Sequence, residues 1–144
     1  MKSLLILGSG GFGQMVKETA QMLGYEQVVF LDDAAKGNDV VGKCCDYMIK
    51  HEEYPVAVAA FGNNRTRLFW TDKLIEEGYE VPAIVHPSAV ISPSAVIEPG
   101  CFIMQRAVVN THTRIERAAL INSGAVVDHD SVVGYGAHVC LGSI

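Results

Sequence analysis

The spacing of hydrophobic residues changes about halfway along the chain. In the first half, the apolar run KSLLIL leads into a glycine turn and then a helical pattern with Val16, Ala20 and Leu23 on one face. VVFL and PVAVAAFG predict further strands, and residues 65–77 predict another helix. Strands that alternate with amphipathic helices are typical of parallel βαβ units. We therefore predict an α/β domain with a parallel sheet over residues 1–82.

The second half, residues 83–144, has a period of six. The apolar residues that we predict to face inward form two series, and a one-residue insertion near Val108 separates them. A small residue follows each of these apolar residues four places later, and the one exception is Arg106. The two series are Ile84, Val90, Val96 and Phe102, followed by Val109, Ile115, Ile121, Val127, Val133 and Val139.

A six-residue repeat of this kind predicts a parallel β-helix, in which three hexads form one coil and the aliphatic residues point inward. The second half would hold about three coils. With three hexads per coil, Thr111 would lie under His129 and His112 under Asp130. The sequence thus predicts two domains of different architecture.

Gly8, Gly10 and Gly13 satisfy G-x-G-x-x-G between the first strand and the first helix. Asp32 and Asp33 end the second strand, where an acid commonly binds a ribose or a base. The half-Rossmann domain has about three or four strands, whereas a dinucleotide fold needs about six, which disfavours an NAD-dependent oxidoreductase. A nucleotide diphosphate sugar is the favoured ligand. The alternative is that the glycines only permit close packing of strand and helix.

The composition of the chain limits the classes of partner that we expect it to bind. The chain is 49% hydrophobic and carries a net charge of −5 without a basic cluster, so we expect neither a nucleic-acid nor a membrane partner. The start of the chain resembles a buried strand more than a signal peptide. Four cysteines without metal spacing predict free thiols in a cytoplasmic protein: Cys44, Cys45, Cys101 and Cys140.

The triplet Asp128-His129-Asp130 lies in the otherwise apolar run VVDHDSVVG. Its place in the hexad is a turn, so these side chains should point away from the interior. A neutral imidazole beside a carboxylate suits a general base near pH 7. Two alternatives remain open: a solvated surface turn, and a metal site that includes His112.

These features together resemble a known family. The glycine loop, the FLDD strand end, the FGNN-R junction, HPSAVISPSAVIEPG and INSGAVVDHDSVVGYGAHVCLG are similar to bacterial sugar acyltransferases of the sialic-acid O-acetyltransferase type. The UDP-4-amino-sugar N-acetyltransferases are the most similar members. The resemblance extends over essentially the whole chain.

The resemblance implies a UDP-sugar on the first domain and a left-handed β-helix that forms homotrimers. Acetyl-CoA would bind between neighbouring β-helices as co-substrate, without a metal. His129 would be the general base, Asp130 its acidic partner, and His138 a contact of the acetyl donor. The substrate residues implied are Gly8, Ser9, Gly10, Gly11 and Gly13 for the diphosphate, Asp32 and Asp33 for the nucleoside, and Asn63 and Asn122.

Family members usually continue for several coils beyond the point that corresponds to HVCLGSI. The β-helix is therefore expected to be truncated, without the coils that carry much of the acetyl-CoA site. Two functions follow: an acetyltransferase acting on an amino or hydroxyl group of a nucleotide-linked sugar, or a noncatalytic module that binds or assembles around the nucleotide sugar.

Overall fold

The computed structural model describes residues 1–144, which divide into two compact units, Met1–Pro82 and Ala83–Ile144. The first unit contains a four-stranded parallel sheet in the order β3-β2-β1-β4. Its elements are β1 (Ser3–Leu7), α1 (Gly11–Met22), β2 (Gln27–Leu31), β3 (Val40–Gly42), α2 (Tyr47–Lys50), β4 (Ala57–Ala59) and α3 (Asn64–Glu76).

The central strand β1 shows why this half forms a parallel sheet. Residues 4 to 7 have no exposed surface, as expected of a strand that helices cover on both faces. Helix α1 buries Val16 and Ala20, and the chain leaves it through Gly24 at a φ of 94°. None of the helices has the length and apolarity needed to cross a membrane.

The second unit is a parallel β-helix of ten two-residue strands on three faces. One face has the order β14-β11-β8-β5, and the other two are β12-β9-β6 and β13-β10-β7. Strands on the same face pair with their neighbours one coil away, as in Val96↔Arg114↔Val132. The strands are β5 (Ile84–Val85), β6 (Val90–Ile91), β7 (Val96–Ile97), β8 (Phe102–Ile103), β9 (Val108–Val109), β10 (Arg114–Ile115), β11 (Leu120–Ile121), β12 (Val126–Val127), β13 (Val132–Val133) and β14 (His138–Val139).

The strand register corrects one prediction. The inward residue is the second of each pair, and it recurs every six positions from Val85 to Val139, so the predicted insertion near Val108 is wrong. Val90 and Val96, predicted to point inward, are 62% and 47% exposed. Both residues of these early strands are aliphatic, so hydrophobicity alone does not distinguish the inward one. The small interior residues then include Ala107, and Arg106 is no longer an exception.

The coil corners have a second six-residue rhythm. From residue 100 to residue 142, every sixth residue has a positive φ between 55° and 74°. Glycine tolerates this left-handed conformation freely, whereas most other residues are strained in it. The residues are Gly100, Arg106, His112, Ala118, Gly124, Asp130, Gly136 and Gly142.

Candidate active site

At two positions of the turn after β1, only glycine fits sterically. A Cβ on Gly13 would lie 2.0 Å from the carbonyl oxygen of Gly8, and a Cβ on Gly8 would lie 2.8 Å from that of Ala60. Gly10 and Gly11, in contrast, have open space where a Cβ would be. Both residues are also exposed, so a ligand can approach the backbone at the start of α1, and a helix start favours a phosphate.

Asp32 fastens this turn to the end of β2. Its Oδ2 accepts hydrogen bonds from the N–H and the hydroxyl of Ser9, at 2.8 and 2.7 Å, and its Oδ1 accepts from the N–H groups of Ala34 and Ala35. These backbone donors lower the pKa of Asp32 well below its ordinary value. Four donors occupy the carboxylate, so the structure shows Asp32 as a clamp on the predicted diphosphate loop.

A cavity of about 260 Å³ lies beside this clamp and includes Asp33, Lys36 and Lys43 in its lining. One carboxylate oxygen of Asp33 accepts the N–H of Cys44 at 2.9 Å. The cavity is slightly smaller than pockets that enclose a drug-sized ligand. It therefore has the scale for part of a nucleotide, at the carboxyl end of the parallel strands where such ligands bind.

The FGNN junction after β4 is organised by two residues. The side-chain carbonyl oxygen of Asn63 caps α3 by accepting the N–H of Thr66 at 2.9 Å. Arg67 is completely buried and donates to the carbonyl oxygens of Phe61 and Gly62. Sequence reasoning missed Arg67. Its only signal was a basic residue on the helix face that packs inward.

The charged triplet occupies the corner between β12 and β13, and all three side chains are exposed. The Nδ1 of His129 lies 2.7 Å from Oδ2 of Asp130. Asp128 makes different contacts. Its Oδ1 accepts hydrogen bonds from the N–H of His129 at 2.7 Å and from the side-chain amide of Asn110 at 3.3 Å. Its acceptor bonds lower the pKa of Asp128, because they favour the ionised form.

The His129–Asp130 pair sets the protonation of the imidazole. An ionised carboxylate only accepts hydrogen bonds, so Nδ1 carries the proton and Nε2 of the neutral ring is free to take one. The hydrogen bond to Asp130 raises the pKa of His129, and the charges of Asp128 and Asp130 add to it. Geometry and charge together give His129 the properties of a general base.

The coil below the triplet places His112 next to Asp130, as the stacking of equivalent hexads predicts. The Nδ1 of His112 lies 3.8 Å from Oδ1 of Asp130. No group of three or more His, Cys, Asp or Glu residues is arranged to hold a metal ion. His112 is therefore an electrostatic neighbour of the triplet.

Asn122 and His138, which the resemblance assigns to the substrate and to the acetyl donor, contact each other. The Asn122 side-chain nitrogen lies 3.0 Å from Nε2 of His138, and Asn122 Oδ1 accepts the N–H of Ser123. His138 opens β14 and is half-buried. The contact sets the tautomer of His138, because an amide that donates to Nε2 leaves the proton of the neutral ring on Nδ1.

Comparisons with known proteins agree with this arrangement. Residues 3–74 match the PglD N-terminal domain family. The acetyltransferase domain of PglB from Neisseria gonorrhoeae, solved with acetyl coenzyme A, is 34% identical, with a TM-score of 0.91 over 95% of this chain and 69% of that chain. PerB from Caulobacter crescentus, solved with CoA and GDP-perosamine, is 33% identical, with a TM-score of 0.87 over 96% and 68%.

A histidine-to-asparagine mutant of perosamine N-acetyltransferase from the same organism is 29% identical, with a TM-score of 0.91 over 96% of this chain and 68% of that chain. These matches confirm the predicted fold class, a half-Rossmann parallel-sheet domain followed by a left-handed parallel β-helix. They also confirm the predicted relationship to sugar acyltransferases. The chain belongs to the hexapeptide-repeat sugar acetyltransferases that begin with a PglD-type N-terminal domain.

Proposed function

We propose that this chain transfers an acetyl group from acetyl-CoA to the amino group of a nucleotide-linked sugar such as a UDP-4-amino-sugar, with His129 as general base. The observation that carries the proposal is the 2.7 Å pair of His129 and Asp130 on an exposed β-helix corner. A surface turn needs no oriented imidazole, whereas proton transfer from an attacking nucleophile does.

The donor and the acceptor class are supported by the relatives. The PglB domain was solved with acetyl coenzyme A, and PerB with CoA and GDP-perosamine. Acetyl transfer to a nucleotide sugar is thus the chemistry of similar proteins. Because one of these acceptors carries a guanine nucleotide, UDP-linked and GDP-linked amino sugars are both candidate acceptors.

The chemistry requires one proton acceptor. The sugar nitrogen attacks the thioester carbonyl, a C–N bond forms, the C–S bond breaks and CoA leaves as the thiol. The Nε2 of His129 accepts the proton that the nitrogen loses, and this proton then neutralises the departing sulfur. Asp130 holds Nδ1–H and stabilises the imidazolium while it exists, as the acid of a histidine–carboxylate pair does.

The first unit would hold the nucleotide. The N–H groups of Gly10 and Gly11 suit the diphosphate, and Gly8 and Gly13 allow the tight turn beneath it. Ser9 would shape this loop, because its N–H and hydroxyl already donate to Asp32. Asp33 would face the nucleoside from the cavity wall. Asp32 would contribute through its clamp on Ser9, and Asn63 through the cap that shapes the FGNN junction.

The acetyl donor would contact the face that carries His138, whose ring Asn122 orients. We propose that acetyl-CoA binds there between β-helices of a homotrimer. Sedimentation of the purified chain with and without acetyl-CoA tests this assembly, and a monomer at micromolar concentration under both conditions would contradict it.

The test of the base compares His129→Ala with His86→Ala, a matched loss of a second histidine in the β-helix. CoA release is followed with UDP- and GDP-linked 4-amino-sugars, and with 4-hydroxy analogues. We expect His129→Ala to lose about 10²- to 10⁴-fold in kcat while nucleotide affinity stays unchanged. His86→Ala should retain full activity.

Unchanged turnover in His129→Ala would refute its role as base. The noncatalytic alternative predicts a different result for the unmodified chain. It would bind the nucleotide sugar in a calorimetric titration but neither bind acetyl-CoA nor release CoA.

A further inference from the structure

Asp130 lies between two histidines from successive coils. Its Oδ2 is 2.7 Å from Nδ1 of His129, and its Oδ1 is 3.8 Å from Nδ1 of His112. The repeat produces this arrangement, because equivalent positions of successive coils stack directly. One carboxylate is therefore shared by an imidazole that it hydrogen-bonds and by a second at ion-pair distance.

We propose that His112 is a positioning residue that sets the proton affinity of His129 through the shared carboxylate of Asp130. The proposal rests on the proposed function only in its consequence for catalysis. The electrostatic coupling itself belongs to the three side chains and exists whether or not the chain turns over a substrate.

The backbone fixes His112 in this place. Its φ of 55° is left-handed, and its N–H donates to the hydroxyl of Ser94 on the coil below at 3.0 Å. Asp130 has a matching φ of 58° one coil above. Both side chains therefore leave equivalent corners of successive coils in the same direction.

The sign of the coupling follows from the charges that face His129. Asp128 and Asp130 are on its own turn and favour the imidazolium, while His112 faces the site from the coil below. A cation at position 112 competes for Asp130 and repels the imidazolium, so it disfavours protonation of His129. An anion at the same position has the opposite effect.

The experiment is an NMR titration of the His129 ring in the full chain without substrates. Three variants place a fixed charge or none at the same corner: His112→Lys, His112→Gln and His112→Glu. A unit charge roughly 7 Å away in a water-like medium shifts a pKa by about 0.4 units. We expect the His129 midpoint to be lower in the Lys variant and higher in the Glu variant, nearly one pH unit apart, with a smaller separation at high salt.

Arg106 provides the matched control. It has a φ of 57°, and its N–H donates to the hydroxyl of Ser88 at 3.0 Å, so it repeats the local geometry of His112 at another corner. Arg106→Gln and Arg106→Glu change the net charge to a similar extent. They should leave the His129 midpoint within about 0.1 unit of the unmodified chain, since exposed charges beyond a Debye length are largely screened.

A separation below about 0.2 unit between the Lys and Glu variants would overturn the proposal, as would an equal shift in the Arg106 variants. The acid limb of kcat/KM, measured in the same variants, tests the proposed function separately. If the NMR midpoint moves and the acid limb does not, the coupling stands and His129 is not the base.

Discussion

Gly13→Ala tests whether the glycine turn is a steric requirement. The added Cβ would lie 2.0 Å from the carbonyl oxygen of Gly8 and 2.9 Å from its carbonyl carbon, far inside the roughly 3.3 Å at which carbon and oxygen normally meet. The turn cannot retreat freely, because the N–H of Gly8 is bonded to the carbonyl oxygen of Leu31 at 2.9 Å. Either α1 or the turn must move by more than about 1 Å.

The expected cost follows from two contributions. Overpacking of a closed site costs about 1–3 kcal/mol, and losing the Gly8 hydrogen bond adds about 1 kcal/mol. Alanine returns up to about 1 kcal/mol through its higher helix propensity. The net loss of about 1–3 kcal/mol should lower the Tm of a unit of this size by about 4–24 °C.

Gly11→Ala is the control, because it lies in the same helix with open space at the Cβ and keeps its N–H. We expect a Tm equal to or slightly above that of the unmodified chain. Trp70, the single tryptophan, reports on the first unit by fluorescence. If Gly13→Ala melts within about 2 °C of Gly11→Ala, the steric reasoning is refuted.

Three further perturbations test the clamp, the β-helix core and the histidine pair. Asp32→Asn should lower the free energy of unfolding by about 1–2 kcal/mol at pH 7, because an amide cannot accept all four hydrogen bonds. The folded pKa of Asp32 is depressed, so its contribution exists above the ordinary carboxyl range and is lost on acidification. Urea titrations should therefore show a smaller difference near pH 2.5, and a constant difference would contradict the clamp. Ile121→Ala, fully buried, should cost about 2–5 kcal/mol in the same assay, whereas Val132→Ala, 66% exposed, should stay within about 0.5 kcal/mol. Similar losses in both would contradict the observed register. The raised pKa of His129 predicts that kcat/KM rises with pH through a midpoint above the ordinary imidazole value of about 6.5. Asp130→Asn, which tolerates the left-handed backbone, should shift that midpoint downward, and an unchanged acid limb would argue against the pair.

The fold was largely predictable because its signals are redundant. A six-residue repeat states the same rule in every hexad, so an error in one hexad does not change the architecture. The exact register was not predictable, since pairs such as Val90–Ile91 are aliphatic at both positions and only coil closure decides which one is buried. Short elements such as β3 and α2 carry too few residues to show a period.

In the candidate site, too, the contacts that depend on the repeat were predictable and the others were not. The stacking of successive coils made the proximity of His112 and Asp130 predictable, because it depends on the repeat alone. The contact of Ser9 with Asp32 depends on how two strand ends that are distant in sequence meet, and no local pattern encodes it. Arg67 was missed for the same reason, since its buried contacts with the FGNN junction depend on how α3 packs.

The uninterrupted period makes residue number along the β-helix a measure of angle. One hexad corresponds to a third of a revolution, and three hexads return the chain to the same edge one layer higher. Removing a single hexad between His112 and Asp128 would keep the second residue of every strand facing inward, yet it would rotate His129 to a different edge and separate Asp130 from His112. The direction in which the His129 imidazole faces is thus set by the number of hexads that precede it, independently of the residues that stabilise the coils.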